Sequence, residues 1–124
     1  VMTVIKEGLR YAKDGMWVKI EGTKAVIGIS DSAQDDLGEV IYVQTPVIGR
    51  NVSKGDEIGA LESFKSVIPI VSPISGTVVS INKALEEEPS LMNSSPYDEG
   101  WIAEFEIAPE GIEGLYTAEE YRSL

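Results

Sequence analysis

Lys65 is the residue on which chemistry is most readily built. It stands in Glu62-Ser63-Phe64-Lys65-Ser66, with Gly55-Asp56 upstream and Ser72-Pro73-Ile74-Ser75-Gly76 downstream. The 124-residue chain contains no cysteine and no histidine, so it owns no thiol, no imidazole and no obvious set of metal ligands. Redox or acyl chemistry must then come from an attached group, and Lys65 reads as the anchor of a cofactor arm. Ser63 and Ser75 have no histidine base to activate them, which removes serine-nucleophile hydrolysis. Glu86-Glu87-Glu88 brings three carboxylates together, but such runs face solvent and no second cluster completes a cation site. No catalytic residue and no metal are expected.

The elements that must position this lysine are mainly strands. Short apolar segments alternate with turn residues, as in a small all-β domain rather than βα units. Trp17 to Glu21 has period two, Gly22-Thr23 reads as a turn, and Ala25 to Ile29 follows as its antiparallel partner. Ser30 or Asp31 is placed to cap a short helix through Leu37, which Gly38 ends. Val40 to Gln44 resumes strand. Three further runs, Glu57 to Leu61, Val67 to Val71 and Thr77 to Ile81, flank the lysine. If the first two pair, Phe64 and Lys65 form the turn and the amine projects into water. Pro69 and Pro73 lack an N–H, so their strand should be an edge or be interrupted. Asn82 to Glu87 reads as a helical turn and Pro89 to Pro96 as ordered loop. Trp101 to Ile107 alternates again, with Trp101, Ala103, Phe105 and Ile107 inward; Trp17 and Trp101 read as core aromatics. Gly59 and Gly76 are expected to serve backbone geometry. Thr117 with Glu120 forms a capping box opening a C-terminal helix.

The length and ordinary apolar fraction suit one domain over residues 1–124. No apolar run approaches the roughly 20 residues needed to span a bilayer, so a cytoplasmic protein without membrane contact is expected. Val1 ahead of Met2 reads as an added residue. Residues 82–124 hold 11 acidic and 2 basic side chains, a net −9 of the total −11. That field repels nucleic acid and favours partners with basic patches.

With these residues placed, the chain resembles the H protein of the glycine cleavage system, a lipoylated member of the biotinyl/lipoyl-carrier superfamily. The likeness rests on Tyr11, Trp17-Val18, Gly28 to Gln34 and Leu37-Gly38; on Gly55-Asp56, Glu62 to Lys65 and Pro73 to Gly76; and on Asn82, Ala84-Leu85, Pro89, Leu91, Asn93, Pro96-Tyr97 and Gly100-Trp101. So many positions in fixed order are specific where a single motif is weak. The resemblance implies a mainly β, flattened barrel-sandwich hybrid with short helices and a C-terminal helix. It also implies lipoate in amide linkage to Lys65, with Glu62, Ser63, Phe64 and Ser66 as its setting. The role implied is a carrier, with lipoate supplying a dithiol, and not an enzyme. Biotin is the competing cofactor, but biotin carriers flank the lysine with methionines, where this chain has Phe64 and Ser66.

Departures from the family bear on the cargo. Glycine-cleaving members usually carry His-Glu-Trp before the first tryptophan and an acid four residues after the lysine. Together these line a cleft sheltering the aminomethylated arm. Here those places hold Gly15-Met16-Trp17 and Pro69, with Asp14 as partial compensation. Neither Met16 nor Pro69 pairs with an amine. That tilts the reading toward an H-like lipoate-binding protein of heterodisulfide-reductase-like sulfur oxidation, whose arm carries sulfur beside soft Met16. The alternative is an H protein carrying aminomethyl groups between glycine decarboxylase, aminomethyltransferase and lipoamide dehydrogenase. A third reading is an unlipoylated interaction module. A lipoate ligase or lipoyl transferase is the modifying partner, and a monomer is expected of a carrier that visits several enzymes.

Overall fold

Residues 3–124 are described by a computed structural model; Val1 and Met2, and with them the reading of Val1 as an addition, lie outside the described residues. The chain runs β1 (Arg10–Tyr11), β2 (Met16–Glu21), β3 (Lys24–Ile29), α1 (Asp31–Leu37), β4 (Val40–Gln44), β5 (Asn51–Val52), β6 (Glu57–Ser63), β7 (Val67–Val71) and β8 (Gly76–Ile81). It continues with α2 (Ala84–Glu87), α3 (Leu91–Ser94), β9 (Ala103–Glu106), a 3-10 turn at Pro109–Ile112, β10 (Tyr116–Thr117) and α4 (Ala118–Arg122). A seven-stranded sheet in the order β10-β1-β2-β3-β9-β8-β5 faces a three-stranded sheet in the order β4-β6-β7.

Period-two alternation delivers one face of each sheet to a shared interior. Val18, Ala25, Ile27, Val78 and Phe105 come from the large sheet, and Val40, Val43, Ile58, Leu61 and Ile70 from the small one; all are buried in one cluster. Each of these side chains larger than alanine contributes about 1.5–3 kcal/mol of transfer free energy. The mainly β, flattened two-layer architecture is therefore as the sequence implied.

The β2–β3 hairpin turns where expected, with Glu21 opposite Lys24. Ser30 caps α1 by accepting the Ala33 N–H, and Gly38 ends it at φ +84°. The capping box of Thr117 and Glu120 opens α4. β7 lies at the edge of the small sheet, where Pro69 removes no ladder bond that a neighbouring strand would need. Gly59 and Gly76 sit where strands approach closely: a Cβ would stand 2.2 Å from the Gln44 carbonyl oxygen and 2.5 Å from that of Glu106.

Two expectations need correction. The segment from Pro89 to Pro96 is not a loop throughout, since Leu91–Ser94 forms α3. Trp101 lies ahead of β9 rather than on its inner face. Half-buried, it packs against a second, smaller cluster of Leu9, Tyr11, Trp17 and Ala118. Trp17 is a core aromatic of that cluster and not of the main one. Among the described residues no helix is long and apolar enough to cross a membrane.

The second cluster also sets the alkaline limit of the fold. Tyr11 is fully buried and stacks on Tyr121 at 4.7 Å. Burial, reinforced by Tyr97, pushes its phenol well above the usual value, and burial raises Tyr97 as well. Above about pH 10 the unfolded tyrosines ionise while the folded ones stay neutral, so the unfolded state binds fewer protons and stability falls as pH rises. Circular dichroism in fixed urea should show a stability plateau through neutrality and a decline above about pH 10. Tyr11→Phe should make that decline shallower; an unchanged slope would rule out Tyr11 as its source.

Candidate functional site

β6 and β7 pair with Glu62 opposite Val67, and the hairpin closes where the Ser63 N–H donates to the Ser66 carbonyl at 2.8 Å. Phe64 and Lys65 are thus the two central residues of the turn. Ser63 is buried beneath them, and its Oγ accepts the N–H of Lys65 at 3.1 Å and of Ser66 at 3.2 Å. Its task is to shape the tip, in the manner of serines that bond nearby backbone. Phe64 is 77% exposed, Lys65 and Ser66 are exposed, and Glu62 is half-buried between Tyr42 and Val67 on the sheet. Five residues adjacent in sequence therefore divide into an exposed tip, a buried bracket and a flank.

The lysine is accessible, but its amine does not simply run into solvent. Nζ donates to the Asp36 carbonyl at 2.8 Å. The stem rests on Gly38, where an added Cβ would stand 3.0 Å from Lys65 Cε. Only glycine fits comfortably at φ +84° so close to the lysine. The last turn of α1 holds no basic side chain, and its terminal carbonyls lack helical partners. The ammonium satisfies one of them.

Asn93 fixes this platform. Its Oδ1 accepts the Val40 N–H at 2.9 Å, and its Nδ2 donates to Gln34 Oε1 at 3.0 Å and to the Gly38 carbonyl at 2.8 Å. One amide from α3 thereby ties the end of α1 to the start of β4. Asn93→Ala strands these partly buried groups and should cost about 2–3 kcal/mol. The urea midpoint should fall with an unchanged slope; a midpoint equal to wild type would show that the tie is dispensable.

Two clefts flank the end of α1. One, of about 250 Å³, is walled by Met16, Ile29, Leu37, Leu61, Ile68 and Pro69. The sequence-singled positions Met16 and Pro69 therefore do meet, and Asp14 is the one charged residue on the lining among the described residues. Its Oδ1 already accepts the Met16 N–H at 3.2 Å. The other is an open groove of about 390 Å³ lined by Gln34, Asp35, Gly38, Glu39, Ser90, Asn93 and Ser94. Sequence reading missed the groove, the seat of Lys65 on α1 and the tie made by Asn93. The glycine after α1 marked a helix end; what would lie against it is decided by tertiary structure.

A family model described as the glycine cleavage H-protein matches residues 9–124. The chain is similar to the glycine cleavage system H protein of Alcanivorax borkumensis, 45% identical over 98% of this chain and 96% of that one. It is likewise similar to the mitochondrial glycine cleavage system H protein 2 of Arabidopsis thaliana, 48% identical over 96% of this chain and 77% of the relative. Among solved structures, the crystal structure of a glycine cleavage system H protein from Mycobacterium marinum superposes with a TM-score of 0.87 at 31% identity, covering 95% of this chain and 96% of that one.

Proposed function

This chain belongs to the glycine cleavage H-protein family, carriers that bear lipoate on a lysine and are not themselves enzymes, and from that we propose that Lys65 is the lipoylated residue and that the protein serves glycine cleavage. One observation carries the assignment of the residue: Lys65 occupies an exposed two-residue turn whose backbone is held from below by Ser63. A modifying enzyme needs such access. The residues fit an amide-linked arm, because amidation removes the lysine's charge at a site where, among the described residues, no carboxylate side chain pairs with it. Lipoate, when bound, would supply a disulfide able to receive a one-carbon amine unit reductively, leaving a dithiol once that unit is passed on. The protein's own residues hold the turn, seat the stem on Gly38 and present an acidic surface to basic partners.

Glycine decarboxylase, aminomethyltransferase, lipoamide dehydrogenase and a lipoate ligase are the partners this reading entails. What supports it over a sulfur-carrying role is that the relatives matching nearly the whole chain are named glycine cleavage system H proteins. The preference for sulfur oxidation drawn from the sequence, and its heterodisulfide-reductase-like partner, find no support among them. A sulfur cargo keeps one observation in its favour, the apolar wall that Met16 and Pro69 give their cleft. Intact mass of the protein from its native host should show a lipoyl adduct, and the lipoylated protein should support glycine-dependent release of carbon dioxide by glycine decarboxylase. A modified protein that supports none would overturn the glycine cleavage reading, and an unmodified mass would overturn lipoylation.

A further inference from the structure

We propose that the outer face of the seven-stranded sheet carries a docking pocket for an arginine side chain presented by a partner enzyme. In the register of that sheet, Lys19 lies opposite Val26, Val26 opposite Glu104, and Glu104 opposite Ser80. Their neighbours along the strands, among them Val18, Ala25, Ile27 and Phe105, fill the main core. Strand alternation therefore puts this row on the face turned away from the small sheet and from Lys65. Over the row, Trp17, Tyr97 and Trp101 complete an open cavity of about 390 Å³, with Asp98 at its side.

The lining selects a particular kind of cation. Trp17, 2% exposed, is the floor, and its N–H is spent on the Pro96 carbonyl. The Tyr97 hydroxyl is taken by the Val4 carbonyl and the Asp31 N–H, so this residue too offers the pocket its ring. Trp101 is half-buried beside them. Aromatic faces attract positive charge. Of the charged groups present, Lys19 faces Glu21 at 3.7 Å and Asp98 faces Lys6 at 3.7 Å, while half-buried Glu104 has no ion pair among the described residues. One unmatched carboxylate next to aromatic rings calls for a cation with a flat, weakly hydrated body. A guanidinium meets both demands, its plane stacking on the rings and its edge donating two parallel hydrogen bonds to Glu104. Sites for free small molecules enclose most of their ligand; this open one suits a side chain borne on another protein. Asp98, Trp101 and Glu104 also belong to the segment of net −9, which draws basic surfaces toward this face. A partner held here leaves the turn that bears Lys65 uncovered.

Trp17 and Trp101 are the only tryptophans in the chain and both line the pocket, so indole emission reports on it directly. The unmodified full chain is titrated with acetyl-Gly-Arg-Gly-amide and with its lysine and citrulline counterparts, the first of equal charge and the second of similar shape without charge. The arginine peptide should change the emission saturably, the lysine peptide should bind several-fold more weakly, and the citrulline peptide should do nothing. Glu104→Gln should weaken arginine binding several-fold. Equal affinity for the lysine peptide would reduce the effect to the general pull of an acidic surface and overturn the proposal, as would no saturable change or an unaltered Glu104→Gln. In turnover, lipoylated Glu104→Gln should show a several-fold higher KM for the carrier with glycine decarboxylase or aminomethyltransferase, at unchanged kcat. A KM unchanged with both enzymes would overturn the docking role. The proposal takes its partners from the carrier reading above, but the peptide titration needs neither lipoate nor enzyme. Failure of that reading, seen as a missing adduct or missing turnover in the wild type, is thus distinguishable from failure of the pocket.

Discussion

Lys65→Ala should leave a folded protein with no lipoyl adduct and no carrier function at all. The loss is expected to be complete because nothing else in the chain can stand in: there is no cysteine, no histidine and no other lysine in the β6–β7 turn. Stability should hardly change. What the fold loses is one exposed side-chain hydrogen bond to Asp36, and surface substitutions of this kind stay within about 0.5 kcal/mol. Lys65→Arg is the sharper control, since it keeps a cation for the α1 carbonyl but offers no amine to acylate. Intact mass, partner-dependent turnover and the urea midpoint together separate the outcomes. An adduct surviving in Lys65→Ala would move the attachment site elsewhere; a lost adduct with a collapsed midpoint would make the residue structural.

Trp17→Ala should be the most damaging substitution for stability, at about 3–5 kcal/mol. The indole is 2% exposed, lies on Gly28, donates from Nε1 to the Pro96 carbonyl at 2.9 Å, and leans on Tyr97 with ring centroids 6.3 Å apart. It is the clasp between the β2–β3 hairpin and the segment ahead of β9. Gly28 is obligatory beneath it, because a Cβ there would stand 2.4 Å from Trp17 Cζ2. Gly28→Ala alone should therefore cost about 1–3 kcal/mol through overpacking. In the Trp17→Ala background the same change should cost far less, since the methyl enters the space the ring has left. Urea unfolding of the four proteins gives the coupling directly. Strict additivity would mean that the contact imposes no strain.

The elements that sequence reading located carry their signals locally. The β2–β3 hairpin has alternation around a glycine turn, α1 has Ser30 at one end and Gly38 at the other, and α4 has both halves of its capping box within four residues. What escaped has no such signal. β5 and β10 are two-residue strands defined only by partners distant in sequence, as when Thr117 pairs with Arg10, and β1 is a two-residue strand held between β10 and β2. α3 is a single turn, too short for a helical period, and Ser90 makes no side-chain cap. Trp101 fits the inward alternation of β9 on paper but precedes the strand, so the pattern does not govern it. At the site, Lys65 and its turn were legible because Ser63 to Ser66 are contiguous. The groove was not, because Asp35 and Glu39 meet Asn93 only after α3 has packed on α1.

The edge position of β7 bears on how such a protein behaves in quantity. An unpaired strand invites another copy to extend the sheet, and repeated extension ends in fibrils. Pro69, at the middle of that border, denies an incoming strand one of the donors it would need to zip along it. Pairing of a second copy along β7 is thereby interrupted at its centre, even where molecules crowd together.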